Sequence, residues 1–303
     1  MQKNSVTVLM TVYNGMPYLK ESVRSVLEQD DTDCTFLIVN NGSVDGTQEF
    51  LDTVRQPAQG PQLIIRHLPE NAGRSRVLTL ALDMVESDIT AILDADDLAA
   101  PDRVRRQKAF FDAHPDIDLL GSDVIYIDTH AAEIGRERFP EDHNSLRDRL
   151  PLFNQFAHSA CAFRTAAARA AGGYDATFPY AQDLALWVAM FTRGSRAASI
   201  AEPLARIRMH PGQATRDLAL LMVRASDNHR LAEAMLDIPG LSPASAQAAL
   251  VRSSLALWRL GKKRQALGRF WSAIRQGPFL FIRNPLLWSR VALEWRRRRA
   301  PRI

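Results

Sequence analysis

Three carboxylates within four residues, Asp94-Ala95-Asp96-Asp97, are the part of this 303-residue chain best suited to chemistry. Acidic groups so close together repel one another and gain nothing from burial. They need a partner charge, and a divalent cation held by oxygen ligands supplies one. The apolar run before them, residues 89–93, suits a buried strand, and Pro101 after them sits where the start of a helix tolerates proline. Ligands of open α/β sheets gather at the carboxyl ends of strands, which is where this acidic group falls. Read alone, the same residues fit a solvated acidic turn capping the next helix equally well. Two further groups could join them. Asp183 lies near a helix start, where the dipole favours a carboxylate, and alone it reads as a cap. His210 closes the run Arg206-Ile207-Arg208-Met209-His210 at a strand end, where a lone histidine is more often structural than a ligand.

The surrounding pattern says what must hold these groups. Residues 6–12, 35–39, 63–67 and 89–93 read as strands, and residues 18–28, 47–55 and 75–86 between them as helices. That alternation implies βαβ units, hence an α/β fold with a mostly parallel sheet and helices on both faces. No GxGxxG and no phosphate loop ending in Lys-Ser/Thr follows a strand, so a dinucleotide-dependent oxidoreductase or epimerase is excluded. The loop Asn40-Asn41-Gly42-Ser43-Val44-Asp45-Gly46-Thr47 reads as a well-made turn in which Ser43, Asp45 and Thr47 bond local backbone. Asn40 differs: it stands at a strand end beside Thr11 at the end of the first strand, and both could reach a ligand across the sheet's edge. Further on, strands are expected over 117–127 and 158–163, helices over 165–171 and 181–192, and a polar excursion over 128–139. From about residue 216 the alternation stops, and residues 218–235, 244–260 and 263–275 are helical, the last two forming a hairpin. Two units follow, residues 1–215 and 216–303.

Composition is that of a soluble globular protein, with 46% hydrophobic and 24% charged residues. No apolar stretch approaches bilayer-spanning length, and the run over residues 6–12 is too short for a signal peptide. Two cysteines, Cys34 and Cys161, lie in apolar surroundings and read as buried free thiols, which places the protein in the cytoplasm. The net charge of +4 hides a split: from Arg252 onward 14 Lys and Arg face one acid, Glu294, giving +13 against −9 for the remainder. Residues 278–296 mix aromatics, aliphatics and arginines and end in Arg297-Arg298-Arg299. That suits an anionic membrane surface at the inner face of the cell membrane, or a helix docked on the rest of the chain with a solvated basic end. No base-reading module accompanies the basic run, so no nucleic acid partner is expected.

A series of short motifs joins these pieces. In order come Thr11-Val12-Tyr13-Asn14-Gly15 with Tyr18-Leu19, the 40–47 loop, Asn71-Ala72-Gly73 and Leu93-Asp94-Ala95-Asp96-Asp97. Gly172-Gly173-Tyr174-Asp175, Gln182-Asp183-Leu184-Ala185-Leu186-Trp187 and Arg208-Met209-His210 complete it. Over residues 5–215 the series resembles the family 2 glycosyltransferases with the GT-A fold; the chain beyond 215 lies outside the resemblance. The resemblance implies an inverting transfer of a sugar from a nucleoside diphosphate to an acceptor hydroxyl, such as a saccharide or lipid-linked acceptor in bacterial surface polysaccharide or glycolipid synthesis. By position, Thr11 and Asn40 would approach the nucleobase with Tyr13 in the same donor site, Asp94 the ribose, and Arg74 the phosphates or base. Asp96 would hold Mg²⁺ or Mn²⁺ on the diphosphate with support from His210, and Asp183 would be the general base. The family usually carries aspartate at the position of Asn40. An amide there still accepts from a ring N–H, which favours a UDP- or dTDP-sugar. The competing class is a nucleotide-sugar-binding or scaffold protein with a catalytically decayed fold; intact Asp94, Asp96 and Asp183 speak against it.

Overall fold

The computed structural model of the chain describes residues 5–56, 58–212 and 220–284. Strands β1 (Val6–Val12), β2 (Thr35–Asn40), β3 (Gln62–His67) and β4 (Ile89–Ile92) lie in the order β3-β2-β1-β4, every pairing parallel. Helices α1 (Leu19–Leu27), α2 (Thr47–Thr53) and α3 (Arg74–Asp83) make the crossovers. Parallel strands need such crossovers, and helices on both faces require strands that are apolar on both sides. In β1, Val6, Val8 and Met10 join a core with Leu19, Val23 and Val26 of α1. Leu9 joins a second core with Val77, Leu78 and Ala81 of α3, which is the period of two that a strand imposes.

Beyond β4 the sheet becomes mixed. It is completed by β5 (Leu98–Ala99), α4 (Arg103–Ala113), β6 (Leu119–Ile127), β7 (Glu133–Glu137), α5 (His143–Arg149), β8 (Ala162–Arg164), α6 (Thr165–Ala170), α7 (Gln182–Thr192) and β9 (Ala197–Arg208). Strand β8 enters antiparallel between β4 and β6, and β9 runs parallel to β6. Two differences from the sequence reading matter. The polar excursion contains β7, paired with β6; its Glu133, Arg136 and Glu137 suit an outer strand that is little buried. Residues 158–163 do not form one strand. His158–Ala160 is a 3₁₀ turn and β8 starts only at Ala162, because the Ser159 hydroxyl is engaged by the acidic loop, accepting from the Asp94 N–H and donating to Asp97.

Helices α8 (Leu221–Ala234), α9 (Pro243–Arg259), α10 (Lys263–Arg275) and α11 (Pro278–Arg283) follow. Helix α9 starts where its sequence dictates: the Ser242 hydroxyl accepts the Ser245 N–H at 3.2 Å, and Pro243 fills the first turn. Helices α9 and α10 pack against each other as a hairpin. Leu231, Met235 and Ala249 share one core with Trp187 and Phe163, so α8 and α9 are anchored on the sheet's flanking layer. Both cysteines are buried and unpaired. No helix among the described residues is long and apolar enough to cross a membrane. The arginine-rich end, from residue 285 onward, lies outside the described residues.

Candidate active site

Strand register brings the candidate groups to one end of the sheet. Leu9 pairs with Ile92 and Val12 with Asn40, so Thr11 and Asp94 each stand two residues past the Leu9–Ile92 pair. Strand β9 ends at Arg208, whose backbone N–H donates to Asp97 at 2.7 Å, and this draws His210 to the acidic loop.

Each carboxylate of that loop has its own partner. Asp94 Oδ1 lies 2.9 Å from His158 Nδ1, and Asp96 Oδ2 lies 2.9 Å from His210 Nε2. Asp97 is buried and accepts from Arg208 N–H and the Ser159 hydroxyl. Their electrostatics therefore diverge. Burial opposes ionisation of Asp94, but the His158 charge and hydrogen bond, Arg74 and Ser159 outweigh it and hold the carboxyl well below the usual range. The side chain keeps 48% of its surface open, so the neighbouring charges count for more than desolvation. Asp97 goes the other way: burial first, then Asp96 and Asp94, push its carboxyl up, and it serves as an internal tie between the β4 end and β9. Part of the partner charge that the sequence reading sought in a cation is thus supplied by the His158 imidazole.

Asp183 sits in the first turn of α7, where its Oδ2 accepts from Asn154 Nδ2 at 2.8 Å. Desolvation raises its carboxyl, with Asp94 adding to the rise, while His158, the Leu184 N–H and Arg74 pull it back only in part. Asp183, Asp94, His158 and Arg74 therefore lie close enough to act on one another's charge, although α7 lies far along the chain from β4. A carboxylate whose pKa is raised by desolvation suits proton abstraction.

His158 is the residue that the sequence reading missed. Read as the start of a strand, it instead bridges Asp94 and the Tyr174 hydroxyl, the latter at 3.0 Å from Nε2. Burial opposes its protonation, but the Asp94 charge prevails and raises its pKa. As an imidazolium it donates from both ring nitrogens, which fixes the Asp94 carboxylate. A histidine opening an apolar run was the one sequence signal available.

Asn40 is engaged by its own loop and by His67. It is fully buried: its Nδ2 lies 3.0 Å from His67 Nδ1, and its Oδ1 accepts Ser43 N–H at 3.2 Å. Asn41 is likewise buried and tied to Asn71 and the Ala72 N–H. The amide pair holds loops together at the end of β2. Thr11, half-buried, and Tyr13, 47% exposed, remain at the β1 end. Ser43, Asp45 and Thr47 accept the N–H groups of Asn14, Gly15 and Met16 between them, which makes them braces for the β1–α1 loop. Gly42 completes that device at φ +68°, where a Cβ would lie 2.5 Å from the Glu70 carbonyl carbon. Gly42→Ala is therefore expected to destabilise the protein by more than the ~1–3 kcal/mol of a left-handed φ alone, read as a lower urea midpoint.

A cavity of about 770 Å³ opens elsewhere, lined by Ser5, Thr7, Thr35, Gln62 and Glu86 near the amino ends of β1 to β3. Size does not make it the site, because ligands of open α/β sheets bind at the opposite, carboxyl ends.

The sequence profile of this fold settles the affiliation. The model of the family described as "Glycosyl transferase family 2" matches residues 7–170. The chain belongs to glycosyl transferase family 2. Among its relatives, the amylovoran biosynthesis glycosyltransferase AmsE of Erwinia amylovora is 26% identical over 204 residues, covering 67% of this chain and 75% of AmsE. The O-antigen biosynthesis glycosyltransferase WbnJ of Escherichia coli is 24% identical, over 68% of this chain and 80% of WbnJ. The fold of this family 2 chain is shared with the S. aureus TarS fragment 1–349 solved with UDP-GlcNAc. The TM-score is 0.71 at 18% identity, covering 97% of this chain and 92% of the other. A mannosyltransferase of Pyrobaculum calidifontis solved with GDP-Man and Mn²⁺ matches at a TM-score of 0.60 and 20% identity, over 97% and 81% of the two chains. The GT-A architecture expected from the motifs is the architecture present.

A cation has to fit what this family 2 chain offers. Among the described residues, no three His, Cys, Asp or Glu side chains form a metal-binding group. Asp96, 33% exposed, and His210, 14% exposed, offer one oxygen and one nitrogen side by side. Two protein donors suit a Mg²⁺- or Mn²⁺-type ion that takes its remaining ligands from phosphate oxygens and water.

Proposed function

We propose that this glycosyltransferase moves a sugar from a nucleoside-diphosphate-sugar to an acceptor hydroxyl in a single inverting displacement, with Asp183 as general base. What carries the reading is the convergence of Asp183 with Asp94, His158 and Arg74, brought within electrostatic reach of one another from separate elements. The acceptor oxygen bonds to the anomeric carbon as that carbon's bond to the diphosphate breaks. The acceptor proton passes to Asp183, and the electron pair leaves with the diphosphate. Asn154 holds the base in place, and Asp94, fixed by His158, takes the ribose. Arg74 faces the phosphates, and Thr11 and Tyr13 border the base. Asp96 and His210 would hold a divalent cation, which would neutralise charge on the leaving diphosphate. The neighbour solved with UDP-GlcNAc supports a UDP- or dTDP-sugar as the donor, to which the engaged Asn40 side chain adds nothing further.

The relatives named for amylovoran and O-antigen synthesis support a surface-polysaccharide acceptor, saccharide or lipid-linked. We assign residues 1–215 to donor binding and catalysis and residues 216–303 to a helical region, with the enzyme working in the cytoplasm at the inner face of the membrane and its arginine-rich end toward anionic lipid.

A thermal-shift screen of nucleoside diphosphates and nucleotide sugars, with and without Mn²⁺, tests donor binding. A ligand present at 100 times its Kd stabilises the fold by about 2.7 kcal/mol. At least one nucleotide is expected to raise the melting temperature, and to do so more with Mn²⁺ present. A flat response across every nucleotide contradicts the assignment.

A further inference from the structure

The helical hairpin carries a second surface built from residues that the candidate site does not use. Twelve large apolar side chains are exposed among the described residues, and six of them fall between Leu255 and Ile282. Exposure this concentrated forms a patch, whereas single exposed apolar residues are ordinary. Leu255 and Trp258 lie three apart on α9, and Leu267, Phe270 and Trp271 follow one face of α10. Across the hairpin, Leu255, Trp258, Leu267 and Phe270 line a groove of about 230 Å³. Trp258 and Trp271 are 54% and 56% exposed.

Charge identifies what fits there. Residues 243–284 hold eight Lys and Arg and no acid. Arg252 and Arg269 turn inward to Asn228 and Glu233. Lys262, Lys263 and Arg264 are exposed at the hairpin turn, with Lys263 Nζ 5.8 Å from the Trp258 ring centroid. Indole rings beside lysines match the boundary between acyl chains and anionic headgroups, where the ring sits half in each and the cation meets phosphate. A second copy of the chain would bring the same acid-free face and be repelled. Residues 285–303 are basic as well, with Glu294 as their one acid, and bring no opposite charge to the lysines. A polynucleotide would engage the lysines but leave the leucine-lined groove without use.

We propose that the outer face of the α9–α10 hairpin docks on an anionic phospholipid surface, with Trp258 and Trp271 at the interface and Lys262 and Lys263 toward the phosphates. This contact is separate from the arginine-rich end and does not depend on the transfer reaction. The test uses the full chain carrying Trp288→Phe and Trp295→Phe, so that emission comes from buried Trp187 and from Trp258 and Trp271. Vesicles of phosphatidylcholine with about 30% phosphatidylglycerol are expected to shift that emission to the blue and to carry the protein down on sedimentation, and pure phosphatidylcholine to do neither. Adding Trp258→Ser, Trp271→Ser, Lys262→Glu and Lys263→Glu is expected to weaken binding by roughly tenfold or more. Lys262→Glu with Lys263→Glu alone, both at exposed positions, is expected to weaken it measurably without touching the packing. Replacing Arg296, Arg297, Arg298 and Arg299 with serine is expected to leave the blue shift in place. No shift on anionic vesicles, an unchanged affinity in the hairpin variants, or loss of the shift through the arginine substitutions alone overturns the proposal. So does a dimer that hides both tryptophans without lipid.

Discussion

Asp183→Asn is expected to lower the transfer rate by roughly 10²–10⁴-fold, the range for losing a positioned general base, while donor affinity stays as it was. Asparagine keeps the shape and the neighbours of the carboxylate, including a polar contact for Asn154, so folding is not at issue. It removes only the group that takes the acceptor's proton. The pH profile carries the same signature. Desolvation, with Asp94 adding to it, raises the Asp183 carboxyl above 3.8. The ionised form is the active one, so the rate falls as pH drops through that raised value. The acid limb therefore lies at higher pH than an ordinary aspartate would give. Initial rates of the wild type across pH, and of the variant beside it, measure both effects; a variant that retains full turnover removes Asp183 from the mechanism.

The second large effect is expected at the acidic loop. Asp96→Asn keeps a hydrogen-bonding partner for His210 but removes the negative charge that a divalent ion needs. Charge stabilisation by such an ion is worth several kcal/mol, so a loss of roughly 10²–10³-fold in rate follows. The two variants separate by their binding behaviour. Asp96→Asn is expected to abolish the additional thermal stabilisation that Mn²⁺ gives to the nucleotide complex, whereas Asp183→Asn leaves it intact. Titration of Mn²⁺ against each variant with nucleotide present distinguishes them. Equal Mn²⁺ response in wild type and Asp96→Asn means that the ion, if used, is held elsewhere.

Much of this grouping was legible in the chain because chemistry-bearing residues stand at the ends of patterned elements. Asp94 and Asp96 follow a short apolar strand, Asp183 opens a helix, and Arg74 opens another, so placing the elements places the side chains. The burial of Asn40 was hidden for a physical reason. Strand β2 is buried on both faces, so its sequence lacks the alternation that would say which way its last residue points. His158 was lost differently. Its position depends on Ser159 bonding the Asp94 backbone and Asp97, contacts made across more than 60 residues of sequence that no local pattern encodes. Strand β7 was hidden by its charges, which suit an outer strand and read as a loop. The hairpin of α9 and α10 was plain from its 3.6-residue period. Its exposed tryptophans were not, because periodicity shows that a face is apolar without showing whether anything covers it.

The central claim is that Asp183 and the Asp94–Asp96 loop close on the same donor. The most direct measurement is a crystal structure of the Asp183→Asn variant with a nucleotide sugar that the thermal screen selects and Mn²⁺, with the metal located by its anomalous signal. Manganese beside Asp96 and His210, with the sugar's anomeric carbon turned toward residue 183, is the expected result. A nucleotide seated near Ser5 and Gln62 at the opposite end of the strands, or a sugar bound out of reach of residue 183, contradicts it.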